Sequence, residues 1–254
     1  MEVLVCVKRV PAPGARVVLT ADGSAIETRH LGFTVSPHEE CAVEEAVRLV
    51  ENHGGRVTVV TMGPPEAEEQ LRDAVAMGAD EGVLVDAGTT EADPQVTASA
   101  LTGAIRTLQG EGAAYDLLLF GDESADAGNA QVAVRVAHAL GLPIVTGIKG
   151  IEVGSDGLRL RRGTDEGDCY YEVPLPAAAA VKEGINLPRY PALRGRMRAR
   201  KAVMRHLPVT VEGGGLTLVG LRHPPTVDSE TRVLGHGADA APAVVDLLER
   251  QGVL

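Results

Sequence analysis

The residues best suited to do chemistry in this sequence are basic ones. GINLPRYPALRGRMRARKAVMR, residues 184–205, holds seven Arg or Lys and no acid, in a 254-residue chain of formal net charge −11. Residues 184–254 carry ten basic and six acidic side chains, net +4; the preceding body is net −15. Such asymmetry points to two surfaces with different partners. Nucleic-acid binding would call for arginines interleaved with stacking aromatics, but Tyr190 is the one aromatic in the segment and the acidic body repels a polyanion. A membrane-surface helix needs a broad bulky apolar face, and Leu193 with Met197 supplies little of one. A basic loop that docks an acidic protein needs nothing more, with Leu193 as an apolar anchor ringed by Arg194, Arg196 and Arg198; a merely solvated basic face is the alternative the residues leave open. Such charge speeds encounter more than it raises affinity.

A second set of candidates lies in four turns, VKRVPAPG (7–14), TVSPHEE (34–40), TMGPPEA (61–67) and GDESADAGNAQ (121–131). Each follows a strand-like run, and most lead into a helix start, where unpaired backbone N–H groups suit a phosphate or an adenine edge. Neither G-x-x-x-x-G-K-[ST] nor a G-x-G-x-x-G after the first strand occurs, so a nucleotide must be held another way. HEEC (38–41) lacks a second Cys/His pair at zinc spacing. No G-x-S-x-G appears, and the seven histidines define no base–nucleophile pair. The carboxylates of DESAD cannot all face an anionic ligand.

The elements that must position these residues alternate. EVLVCVK (2–8), RVTVVTMG (56–63), EGVLVDA (81–87) and YDLLLFG (115–121) read as buried strands. Helical patterns fill 35–52, 64–78, 96–108 and 129–141. The first has Ser36 as N-cap, Pro37 at the first position and Glu39 completing a capping box. This order predicts a parallel sheet with helices on both faces and ligands beyond the strands' carboxyl ends. Residues 157–181 read as an antiparallel hairpin. Beyond Gly184 no strand–helix unit is expected to recur: a basic helical piece, the stretch 213–226 and a short terminal helix form an extended arm. The expected domains are therefore 1–183 for nucleotide binding and 184–254 for partner recognition.

Apolar residues make up 44% of the chain and aromatics 2%, so Val, Leu, Ile and Ala must build the core. No apolar run approaches the ~20 residues of a membrane helix. The N-terminus lacks a signal peptide's basic start and small-residue cleavage site. A cytoplasmic protein, or one of the mitochondrial matrix, is expected. Three widely spaced cysteines are expected to be reduced.

VKEGINLPRYPALRGRMRARKAVM (181–204) strongly resembles the signature region of electron transfer flavoprotein beta subunits. VCVKRVP (5–11), SPHEECAVEEAVRL (36–49), TMGPPEAEEQLRDAVAMGAD (61–80) and DAGNAQVA (126–133) match family motifs in the same order. The resemblance implies a doubly wound, mainly parallel α/β sheet of the adenine-nucleotide-alpha-hydrolase-like kind, with a hairpin and a C-terminal arm packing on the α subunit. It implies a non-enzymatic carrier subunit, paired with an α subunit that holds the redox-active FAD. The β subunit itself binds AMP, or a second FAD in electron-bifurcating relatives. The implied nucleotide pocket comprises Cys6, Lys8, Ser36, Pro37, His38, Glu39, Met62, Gly63, Asp126, Gly128, Asn129, Ala130, Gln131 and Val132. Leu193 falls at the anchor leucine of the loop that recognises partner dehydrogenases, with Arg194, Arg196, Met197 and Arg198 around it. Pro13 and His38 fall near positions where the β subunit approaches the flavin. The implied donors are acyl-CoA dehydrogenase-type flavoenzymes of fatty acid oxidation, and the acceptor a membrane quinone oxidoreductase. Bifurcating relatives read approximately DGDTAQVG where this chain has DAGNAQVA; Asp126 and Ala130–Gln131–Val132 agree with that pattern, and Ala127, Gly128, Asn129 and Ala133 do not. The alternative from another class is a stand-alone adenine-nucleotide-binding protein, which would have no use for residues 184–254.

Overall fold

The computed structural model describes residues 1–87, 93–211, 215–225 and 231–254. Part of the stretch 213–226, namely Gly213, Gly214 and Thr226, lies outside the described residues. In chain order the strands are β1 (Glu2–Val7), β2 (Arg9–Pro11), β3 (Phe33–Val35), β4 (Arg56–Met62), β5 (Glu81–Asp86), β6 (Leu117–Gly121), β7 (Ile144–Val153), β8 (Leu158–Thr164), β9 (Gly167–Val173), β10 (Ala177–Val181) and β11 (Arg205–Pro208). The helices are α1 (Pro37–His53), α2 (Glu68–Met77), α3 (Pro94–Gly110), α4 (Val132–Leu140), α5 (Leu193–Lys201) and α6 (Ala241–Arg250).

A nine-stranded sheet has the order β11-β5-β4-β1-β6-β10-β7-β8-β9. Pairings from β11 through β7 are parallel, and β7–β8 and β8–β9 are antiparallel. Burial on both faces explains the near-continuous apolar strands. In β1, Val3, Val5 and Val7 face the α1/α2 layer, whereas Leu4 and Cys6 face the α3/α4 layer. This is the two-residue period of a pleated strand sandwiched between helices. β1 leads through α1 to β4 on one side, and α3 crosses back to β6 on the other. The strand order therefore reverses at β1, and the crevice beyond the ends of β1 and β6 is where such sheets bind ligands.

Two elements differ from the sequence expectation. Residues 177–181 are not part of the hairpin: AAAAV is a fully buried parallel strand between β6 and β7, because small side chains fit a strand covered on both faces. A strand–helix unit also recurs beyond Gly184. α5 packs on α2, and β11 extends the sheet by pairing in parallel with β5. Residues 184–208 are thus built into the body. Among the described residues no helix is long and apolar enough to cross a membrane.

Candidate functional site

The crevice is assembled at the carboxyl ends of β1, β4 and β6. The start of α1 is fixed as its sequence dictates. The Ser36 N–H donates to Glu39 Oε2 at 3.2 Å, closing the capping box. Ser36 Oγ accepts the Ala125 N–H at 3.1 Å, so the same N-cap serine holds the loop that follows β6. Lys8 Nζ reaches both oxygens of Asp126, at 2.6 and 2.8 Å, tying the end of β1 to that loop. His38 Nδ1 accepts the Glu183 N–H at 2.8 Å, and its Nε2 lies 3.8 Å from Glu123. Met62 ends β4, and the Gly63 N–H donates to Val85 O at 3.3 Å.

β6 ends on Gly121 for a steric reason. A Cβ there would lie 2.5 Å from Glu39 Cγ and 3.2 Å from Glu39 N, so only glycine lets the strand end approach the start of α1. Sequence reasoning passed over Gly121, although a glycine closing an apolar strand is the signal for such an approach.

Glu39 is buried. Loss of solvent pushes its carboxyl up to about 7, against N–H bonds from Lys8 and Ser36 and the Lys8 charge, which favour ionisation. Burial, helped by the neighbouring Glu39, pushes the Cys6 thiol up as well, which makes Cys6 an inert core residue near the end of β1.

Pro37, His38 and residues 123–128 line an open cleft of about 380 Å³. Past it the chain enters α4 through an unusual turn. Ala130 has φ +51°, a left-handed conformation costly for a residue with a Cβ. Gln131 follows in the right-handed region at the N-cap of α4; its side chain caps no helix N–H, and its Oε1 instead accepts from the Arg135 guanidinium at 2.8 and 3.2 Å. A left-handed residue followed by a right-handed one is the backbone pattern in which successive N–H groups can converge. Of the expected pocket residues, Pro37, His38, Asp126 and Gly128 line this cleft; Lys8 and Ser36 bond to its loop, Cys6 and Glu39 are buried, and Met62, Gly63 and Asn129–Val132 are not among its lining residues.

The basic segment forms a second feature. Leu193 is the first residue of α5 and is 75% exposed; Met197 and Tyr190 are exposed beside it. Arg194 and Arg196 are exposed, and the Arg196 guanidinium stacks on the Tyr190 ring at 4.6 Å. Arg198 points elsewhere: its guanidinium donates to Val75 O at 2.7 Å and Ala79 O at 3.0 Å, at the end of α2.

A family model described as electron transfer flavoprotein domain matches residues 24–212. The beta subunit of electron transfer flavoprotein from Thermoanaerobacterium thermosaccharolyticum is 36% identical over 200 residues, 78% of this chain and 75% of its own length. The chain belongs to the electron transfer flavoprotein beta-subunit family. The corresponding subunit of Mycobacterium leprae is 35% identical over 226 residues, covering 87% of this chain and 84% of its own. An acryloyl-CoA reductase electron transfer subunit gamma from Anaerotignum propionicum is 33% identical over 199 residues, covering 78% and 73%. The matched residues 24–212 include α1, β4, β6, the turn into α4 and the α5 segment, and the α/β fold agrees with the family.

Proposed function

We propose that this chain is the β half of a heterodimeric electron carrier, that it binds AMP in the crevice beyond β1 and β6, and that it docks flavin dehydrogenases through Leu193. The observation that carries the nucleotide reading is the contrast between two helix starts. The N-terminus of α1 is satisfied by its own capping box, whereas that of α4 has no side-chain cap and is preceded by the Ala130–Gln131 turn. An anion is stabilised at the second and gains little at the first. The residues therefore fit a phosphate. The N–H groups of Ala130, Gln131 and Val132 would hold it, with Lys8 and the Asp126 loop closing over the nucleotide and Met62–Gly63 bordering the base.

The carrier reading places no bond-making side chain in this subunit. FAD, bound by the α subunit, supplies the electron-carrying chemistry. The chain's own part is to shape and shield that flavin, to bind AMP as a fixed structural ligand, and to present Leu193 to acyl-CoA dehydrogenase-type donors, with a membrane quinone oxidoreductase as acceptor. Mixing the chain with its α subunit is expected to give a 1:1 complex retaining FAD. Failure to associate overturns the reading.

A further inference from the structure

We infer that Arg189 and Arg198 are positioning residues for docking: they clamp the Leu193 segment to α1 and α2, so that the steering charge of this segment comes from other arginines. The inference rests on the docking reading above. Arg189 is wrapped by carboxylates of α1. Its Nε donates to Glu44 Oε2 at 2.8 Å, and its terminal nitrogens reach Glu51 at 2.6 and 2.9 Å and Glu44 Oε1 at 3.1 Å. The Arg189 backbone N–H also donates to Glu44 Oε2, at 3.1 Å. Asn186 adds bonds to Cys41 O at 3.0 Å and Glu45 Oε2 at 2.9 Å. Glu44 is 4% exposed, so this is a bidentate ion pair anchored on a largely desolvated carboxylate, the geometry in which arginine is strongest.

Further along, the chain is held a second time. A Cβ on Gly195 would lie 2.2 Å from Ala76 O, so α5 sits directly on the backbone of α2. The two helices then cap each other's last turns. Arg198 of α5 donates to Val75 O and Ala79 O, and Arg72 of α2 donates to Ala199 O and Ala202 O, the latter two each at 2.9 Å. Leu193 lies between the Arg189 clamp and the Gly195 contact, its backbone fixed from both sides and its side chain 75% exposed. A side chain presented this way has lost its ordering cost before a partner arrives.

The test uses the chain assembled with its α subunit and reduced by an acyl-CoA dehydrogenase that reduces the wild-type heterodimer. Arg189→Ala, Glu51→Ala, Leu193→Ala and Arg194→Ala are compared for flavin content, kcat and apparent KM for the heterodimer, in low salt and in 1 M salt. Arg189→Ala is expected to raise KM on the order of tenfold with kcat unchanged, as for a loop ordered in about a tenth of molecules. Glu51→Ala, which opens only the exposed arm of the clamp, raises it less. Both effects persist in 1 M salt, where screening acts within ~3 Å, whereas that of Arg194→Ala disappears. A wild-type KM for Leu193→Ala defeats the docking reading itself. An effect of Leu193→Ala alongside wild-type KM for Arg189→Ala and Glu51→Ala defeats the clamp and leaves docking standing. Disappearance of the Arg189→Ala effect in 1 M salt makes Arg189 a steering charge and overturns the inference. So does loss of flavin or assembly in Arg189→Ala together with a wild-type KM for Glu51→Ala.

Discussion

Replacing Glu39 by glutamine is expected to change how stability depends on pH. The Glu39 carboxyl stands at about 7 in the folded chain, against an ordinary 4.5, chiefly because it is buried. A raised carboxyl means that the folded state holds its proton more tightly than the unfolded state. The stabilisation is complete below pH 4.5 and is lost as the pH rises through 7. The gap corresponds to about 3 kcal/mol at roughly 1.36 kcal/mol for each pH unit. A glutamine side chain at this position cannot ionise and still offers an acceptor to the Ser36 and Lys8 N–H groups. The stability of Glu39→Gln minus that of wild type is therefore expected to rise by about 3 kcal/mol between about pH 4.5 and 8 and to stay constant at lower pH. Urea unfolding of both proteins across that range gives the difference directly, with all other titrations cancelling. A flat difference, or one changing only around the ordinary carboxylate range, refutes the assignment of Glu39 as a carboxyl held protonated by burial.

Three further outcomes follow from close contacts. Gly195→Ala drives a Cβ into Ala76 O and is expected to cost roughly 1–3 kcal/mol, the range for overpacking, measured as a lower urea midpoint. Ala130→Val, a β-branched residue at φ +51°, is expected to lower the nucleotide content of the purified heterodimer, and Ala130→Gly to preserve it; equal content in the two rejects the α4 turn as the phosphate site. Lys8→Ala removes an ion pair whose partners are 44% and 29% exposed, so its stability cost is expected to stay below about 1 kcal/mol, while AMP dissociates faster because the Asp126 loop loses its tie to β1. Stopped-flow displacement of AMP measures the second effect.

Much of this fold is legible in the sequence because local signals agree with the tertiary structure. Ser36, Pro37 and Glu39 specify the start of α1 without help from distant residues, and the apolar runs of β1, β4, β5 and β6 state their burial on both faces. β11 is not legible: RHLP is four residues long, its polar members are tolerated at a sheet edge, and only pairing with β5 makes it a strand. β10 hides for another reason, since AAAAV follows the hairpin's last run within a few residues and reads in sequence as part of it. In the candidate site, the turns are visible as turns, but the left-handed Ala130 is not, because alanine carries no sign of a conformation imposed by its surroundings. The basic segment shows the limit most clearly. Arg194 and Arg198 look alike in sequence and are both exposed, and only the position of α2 gives Arg198 its carbonyl partners Val75 and Ala79. Arg189 and Glu44 are 145 residues apart, and no periodicity links them.

Binding of AMP by this chain, beside the flavin of its α subunit, is tested most directly by the cofactor content of the purified heterodimer, measured by absorbance and by chromatography of the released nucleotides. One FAD and one AMP per heterodimer is the predicted result; two FAD and no AMP would contradict it.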